Sequence, residues 1–278
     1  MRKTVRVAAV LGSAVALWGG VIDPNAEPPP GDLGEFSADR PGFGVPTNVV
    51  PRGVLQFETG VSLTSEADPG GRTRTLTWGS PLVRVGVGKR TEIRIGGDGF
   101  LSSRVEDRQG TERVRGWSDV ALGAKIALWE GRGLALSVVP TLSLPAGARA
   151  FTSSALDPSL VVAWSLNLPA KFSAGGTLGY ASVSDGGGRL AQRTQAVSLG
   201  RALFGGFSGY AEAFTVSPPE RGAGGTWMVN GGVTHAIGPN AQADVEFGRR
   251  VASGSDCWLV SVGFAVRTVA LRHFGRFW

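Results

Sequence analysis

At 278 residues, 42% apolar and only 18% charged, the chain is long enough for one large all-β domain or two small ones. No interior run approaches the roughly 20 apolar residues of a membrane helix, and 43 glycines argue against long helices. The net charge of +6 falls to +3 (25 basic against 22 acidic residues) once Arg2, Lys3 and Arg6 are set aside; with no Lys/Arg cluster interleaved with aromatics, a nucleic-acid partner is excluded.

Those three basic residues precede VAAVLGSAVALW, about a dozen apolar or small residues and too short to span as a mature helix. Residues 1–26 read as a signal peptide, cleaved between Trp18 and Glu27, with a membrane anchor as the alternative. No cysteine lies nearby, which excludes a lipoprotein signal. The single cysteine, Cys257, forms no internal disulfide. Residues 27–52, EPPPGDLGEFSADRPGFGVPTNVVPR, are rich in Pro and Gly and predict an irregular N-terminal arm or partial plug.

From residue 53 the pattern changes. In GVLQFETGVSLT, Leu55, Phe57, Thr59, Val61 and Leu63 share one parity, and Gln56, Glu58, Gly60, Ser62 and Thr64 share the other. Successive side chains of a strand point to opposite faces, so this strand has one greasy and one polar side. The pattern recurs at 72–88, 91–103, 117–129, 134–144, 160–166, 172–182, 192–203, 207–215, 227–237, 241–247 and 258–266, with turn residues between. The charged stretch RVEDRQGTERVRG, 104–116, reads as a solvated loop. Connections at Lys89, Glu130, Pro169, Leu203 and Gly238 are short, and those near Pro69, Gln109, Arg149, Gly187, Gly222 and Gly254 are longer. About twelve strands joined by alternating short and long connections predict an all-β, antiparallel up-and-down transmembrane β-barrel over 53–267, with residues 268–278 as a tail or the end of the last strand.

Three pieces carry a family resemblance: Asp39-Arg40-Pro41, the VVPRG approach, and the LQFETG strand that follows. Later landmarks are SDVALGAKIAL, PTLSLPAG and IGPNAQADVEFG. Through Val266 the chain resembles the outer-membrane β-barrel transporter family known for the MetA pathway of phenol degradation. The resemblance implies passage of small hydrophobic or aromatic solutes.

The aromatics fit a barrel. Trp117, Trp227 and Trp258 fall near the outer strand ends and Trp129, Trp164 and Phe172 near the inner ones, as interfacial girdles. A soluble sandwich with tryptophans in its core is the alternative. Against it, Glu58, Glu92, Arg94, Asp119, Lys125, Glu212, Asn230, Asp244 and Glu246 lie on the polar parity, where a wet lumen suits them and a dry core does not. These nine are the expected lumen-lining residues.

No catalytic or metal site emerges: there is no H-E-x-x-H, no Cys/His cluster and no P-loop. His235 falls on the lipid-facing parity near a turn and His273 in the tail, away from any serine in the lumen. The acid pairs Asp244/Glu246 and Glu58/Glu92 lack the histidine of an outer-membrane aspartyl-type protease. The expectation is a non-enzymatic barrel of the bacterial outer membrane without cofactor or metal. Its partners are outer-membrane lipid, a small-molecule solute and the barrel-assembly machinery, and the barrel is expected to be a monomer. A non-conducting structural or adhesion barrel that displays surface loops is the alternative.

Overall fold

The computed structural model describes residues 33–184, 188–217, 225–252 and 255–268. The signal peptide, residues 27–32, the tail after Thr268 with His273, and the connections' residues Gly187, Gly222 and Gly254 lie outside the described residues.

Alternation sets the architecture. In β1 (Leu55–Asp68) Glu58 is fully buried while its neighbour Phe57 is 40% exposed. The same inversion, polar in and apolar out, recurs in β2 (Gly71–Gly86), β3 (Thr91–Gly96), β6 (Val120–Gly131) and β7 (Leu134–Leu144), whereas β4 (Gly99–Asp107) loses it in its outer half and β5 (Gly110–Trp117) lacks it. It continues in β8 (Asp157–Asn167), β9 (Phe172–Ser184), β10 (Arg189–Ala202), β11 (Phe207–Val216), β12 (Thr226–Ala236), β13 (Ala241–Ala252) and β14 (Asp256–Thr268). Ile93, Ile95, Leu122, Val162, Leu178 and Val262 are exposed, whereas Lys125, Ser137, Thr177, Ser198 and Gln242 are buried. A water-soluble protein would invert this pattern; a lipid-facing sheet requires it.

Every strand pairs antiparallel with its neighbours, and β1 pairs with both β2 and β14, which closes the sheet. β2 meets β3 along its inner half and β4 along its outer half, while β3 pairs with β6 and β4 with β5. β3–β4 and β5–β6 are therefore two staves, each interrupted once, and the barrel has twelve staves. The interruptions, at Gly97-Asp98 and Ser118-Asp119, touch each other: Ser118 N–H donates to Gly99 O at 2.8 Å and Gly99 N–H to Ser118 Oγ at 3.1 Å.

Residues 104–116 differ from the loop expected there. They form the outer halves of a projecting β4–β5 hairpin, and the connection near Gln109 is a tight turn. Asp107 Oδ1 accepts the Gln109 and Gly110 N–H groups at 2.7 and 3.1 Å. The connection near Pro69 is equally tight, with Asp68 Oδ1 accepting from Gly70 and Gly71 at 2.7 and 3.0 Å. Dense charge marked these segments as solvated, which they are, but two charged strands pair well above the bilayer once an Asp turn joins them. The extra outer length lies in the strands, so β1 runs to Asp68 instead of ending at Thr64.

Trp78, Phe100 and Trp117 are partners across β2, β4 and β5, and Phe100 meets Trp117 edge-on at 5.6 Å. This row lies where the apolar belt gives way to the charged hairpins. Trp129 and Phe204, 56% and 79% exposed, lie at the opposite rim. Aromatic side chains at both edges of the apolar band place it at the two interfaces of a bilayer.

On the outer face, Val245 lies between Val233 and Val262. Val245→Arg is expected to destabilise the barrel by about 2–4 kcal/mol, measured by urea unfolding in lipid vesicles.

Candidate functional site: the lumen and its N-terminal arm

Residues 33–54 precede β1 and run through the barrel interior. Their entry depends on Gly86: a Cβ there would fall 2.0 Å from Pro51 O and 2.4 Å from Val50 O, so only glycine lets the arm pass so close to β2. Gly53 N–H donates to Gly86 O at 2.8 Å, and Gly86 N–H to Val54 O at 3.0 Å.

An irregular arm has few ladder partners for its backbone N–H groups, and buried donors must be paired. Here wall carboxylates accept them. Asp39 N–H reaches both Glu58 oxygens at 3.0 and 2.8 Å, and Gly42 N–H reaches Glu246 at 3.4 Å. Phe43 and Gly44 donate to the two Glu212 oxygens at 2.7 and 2.8 Å, and Val50 to Glu92 at 2.6 Å. Hydrogen bonds to ionised acceptors are roughly twice as strong as neutral ones.

The arm also contributes side chains. The fully buried Asp39 carboxylate meets Arg84 at 3.0 Å, Lys125 at 2.9 Å, and Arg94. Arg84 in turn binds Glu58 at 3.0 Å and Glu92 at 2.8 Å, while Arg84 Nη2 and Lys125 Nζ share Asn48 O at 3.0 and 3.2 Å. Three carboxylates thus meet three cations. Burial alone would push Asp39 up, but the Arg84, Arg94 and Lys125 charges outweigh it and hold its carboxyl well below the usual range.

Arg40 turns to the other wall. Its Nη2 donates to Ser261 Oγ at 2.7 Å and to Asp244 Oδ1 at 3.4 Å. Gly60 and Gly263, paired across β1 and β14, clear the space: Cβ atoms there would lie 2.5 and 2.0 Å from the Arg40 side chain. Nearby, Asn230 Nδ2 bridges Glu212 at 3.0 Å and Glu246 at 2.7 Å. Phe43 stacks on Phe214 at 4.2 Å with an interplanar angle of 1°, over an inward apolar patch of Ala196, Met228 and Cys257.

At the arm's start, the Arg267 guanidinium binds the Leu33, Gly34 and Glu35 carbonyls at 3.0, 2.5 and 3.2 Å. Burial pushes the Glu35 carboxyl up to about 7, against the opposing pull of Arg267.

The structure therefore gathers Glu58, Glu92, Arg94 and Lys125 at one wall and Glu212, Asn230, Asp244 and Glu246 at the other, all buried against or beside the arm. Asp119 stands apart in the β5–β6 interruption, where it accepts from Gly147 and Ser153 N–H at 2.9 and 3.1 Å and fixes the connection after β7. Asp39, Arg40 and Arg84 join these clusters, and the strand reading did not include them. Arg84 carried a signal: it lies between Val83 and Val85 on the polar parity. His235 stacks on Phe207 at 4.2 Å, away from these clusters. Among the described residues, no group of three His, Cys, Asp or Glu side chains is arranged to hold a metal ion.

Residues 38–268 match the family described as "Putative MetA-pathway of phenol degradation". The chain belongs to that family. No curated protein matches it. Among solved structures it is similar to the COG4313 outer membrane channel from Pseudomonas putida F1, at 14% identity and a TM-score of 0.60, covering 87% of this chain and all of that one. It is also similar to the NanC porin, at 10% identity and TM-score 0.50 over 75% and 98% of the two chains. The translocator domain of the autotransporter NalP from Neisseria meningitidis gives 12% identity and TM-score 0.50 over 77% and 88%. At these identities the likeness concerns the fold. With the closed sheet, the apolar belt and the aromatic rims, it makes this family member a β-barrel of the bacterial outer membrane, embedded in its lipid.

Arg84→Met would leave Asp39, Glu58 and Glu92 short of a cation and is expected to cost about 3–5 kcal/mol. Arg104→Met, at the exposed Arg104–Glu106 pair, is expected to cost under about 1 kcal/mol; both are read by the temperature of the gel-mobility shift. A raised Glu35 pKa means that the docked arm favours the protonated acid, so its contribution is full below the ordinary carboxyl pKa and lost as pH rises through about 7. The shift temperature is expected to fall by a few degrees between pH 6 and pH 8, and Glu35→Gln to remove that fall.

Proposed function

We propose that this barrel is a monomeric outer-membrane channel for small solutes, hydrophobic or aromatic ones among them, and that residues 33–54 obstruct the lumen until they are displaced. The observation that carries the reading is the inward-facing wall itself. It combines ionised groups with an apolar patch at Phe214 and Met228, and a segment held there by hydrogen bonds and ion pairs, not by ladder pairing, fills it. Phe43 lying flat on Phe214 supports the aromatic part, because a planar ring already rests there. The family description points the same way. The barrel-assembly machinery and a solute are the partners this reading needs, and it assigns no catalysis to the lumenal acids, which receive arm N–H groups.

A second reading, a closed structural barrel that displays the β4–β5 hairpin, is favoured by the burial of Arg84 and Lys125, both 0% exposed beneath the arm. Planar-bilayer recording separates the two. The channel reading expects small or no conductance steps from the full-length protein and steady, larger steps once residues 27–52 are deleted. It also expects Glu212→Gln with Glu246→Gln to lower the cation preference of that open form. A deletion variant that folds, shown by its gel shift, and stays silent would establish the closed barrel instead.

A further inference from the structure

Asp39 and Arg40 are adjacent in sequence, oppositely charged, and bound to different walls. The Asp39 wall is formed by β1, β2, β3 and β6, and the Arg40 wall by β13 and β14, with the Glu212–Asn230–Glu246 bridge on β11–β13 extending it. Without Asp39, the three cations Arg84, Arg94 and Lys125 outnumber Glu58 and Glu92 by one. Without Arg40, the acids Glu212, Asp244 and Glu246 face no cation within ion-pair distance among the described residues. The lumen thus has a cationic and an acidic side, and the dipeptide balances the first and supplies the second with its one ion pair.

Arg40 fits its wall imperfectly. It reaches Asp244 only at 3.4 Å, and its own Nε, Asp244 Oδ2 and Asn230 Oδ1 are buried without partners. Buried polar groups left unpaired are costly, so the acid wall can satisfy a better-placed cation than the one the arm supplies. The Gly60–Gly263 notch already has room for a guanidinium.

We propose that the two walls form one site for a small zwitterionic solute, a molecule carrying a carboxylate and an amine or guanidinium cation, and that Asp39–Arg40 occupies this site while the arm is docked. Arg84, Arg94 and Lys125 take the carboxylate; Asp244, Ser261 and the neighbouring glutamates take the cation. The proposal rests on the channel reading for the solute's route and on the wall geometry alone for its binding. Linking two charges in one molecule makes the second contact intramolecular, so a zwitterion gains over either charge alone.

The test uses the full chain refolded in detergent micelles, with Asp39→Ala and Arg40→Ala together, titrated calorimetrically with 4-guanidinobutyrate. Butyrate and butylguanidinium serve as single-charge controls. The zwitterion is expected to bind at least tenfold more tightly than either control and than it binds the unaltered protein, and to lose that advantage when Asp244→Asn is added. Equal binding of the three compounds, or binding of none to a variant that keeps its gel shift, would overturn the proposal. Should the double variant not fold, Arg40→Ala alone is titrated with butylguanidinium: binding absent from the unaltered protein supports the cation half, and no binding overturns it. A folded arm-deletion variant that stays silent, with a double variant that binds the zwitterion, would refute the channel reading and keep this one; a deletion variant that conducts, with a double variant that ignores the zwitterion, would do the reverse.

Discussion

An ionised group inside a barrel must find a partner or water, and that requirement organises this molecule. Glu58, Glu92 and Lys125 are fully buried at membrane depth, and none would be tolerable alone. The arm resolves the difficulty and has the same difficulty itself, since its irregular backbone brings N–H groups into the interior with no sheet edge to receive them. Wall carboxylates and arm amides satisfy each other. Asp39 completes one charge cluster, Arg40 enters the other, and Gly86, Gly60 and Gly263 provide the clearance that these contacts need.

The arm is consequently held by main-chain contacts along much of its length and by a few charged side chains at one place. Main-chain contacts tolerate sequence change, whereas the Asp39 and Arg40 contacts do not. This division is compatible with the proposed displacement of the arm, because main-chain bonds can be exchanged for bonds to water or solute. The stacked Phe43 ring adds an apolar contact that water does not compete for.

Much of this was legible in the sequence. Period-two alternation gave the barrel, its polarity and twelve staves, because lipid outside and charge inside leave no ambiguity about which parity faces which way. Eight of the nine residues expected on the polar parity occupy the two walls. Asp119 lies apart from them, at the Ser118-Asp119 interruption, where it holds the connection after β7. The hairpin of residues 104–116 was hidden because above the bilayer both faces are wet, so no parity survives to be read. Asp39 and Arg40 lay outside any periodic element, and only their pairing across 86 and 204 positions of chain, to Lys125 and Asp244, gives them meaning.

Those two separations also tie the arm to both ends of the sheet. The partners of Asp39 all lie in β1, β2, β3 and β6, the first half of the barrel, whereas Arg40 needs Asp244 and Ser261 on β13 and β14, the last strands of the chain. The notch that receives its guanidinium exists only after β1 and β14 join, because Gly60 and Gly263 are opposite each other across that closing seam. Asp39 is thus anchored to the first strands and Arg40 to the last two, so one dipeptide ties together the two ends of the sheet beside the seam where they join.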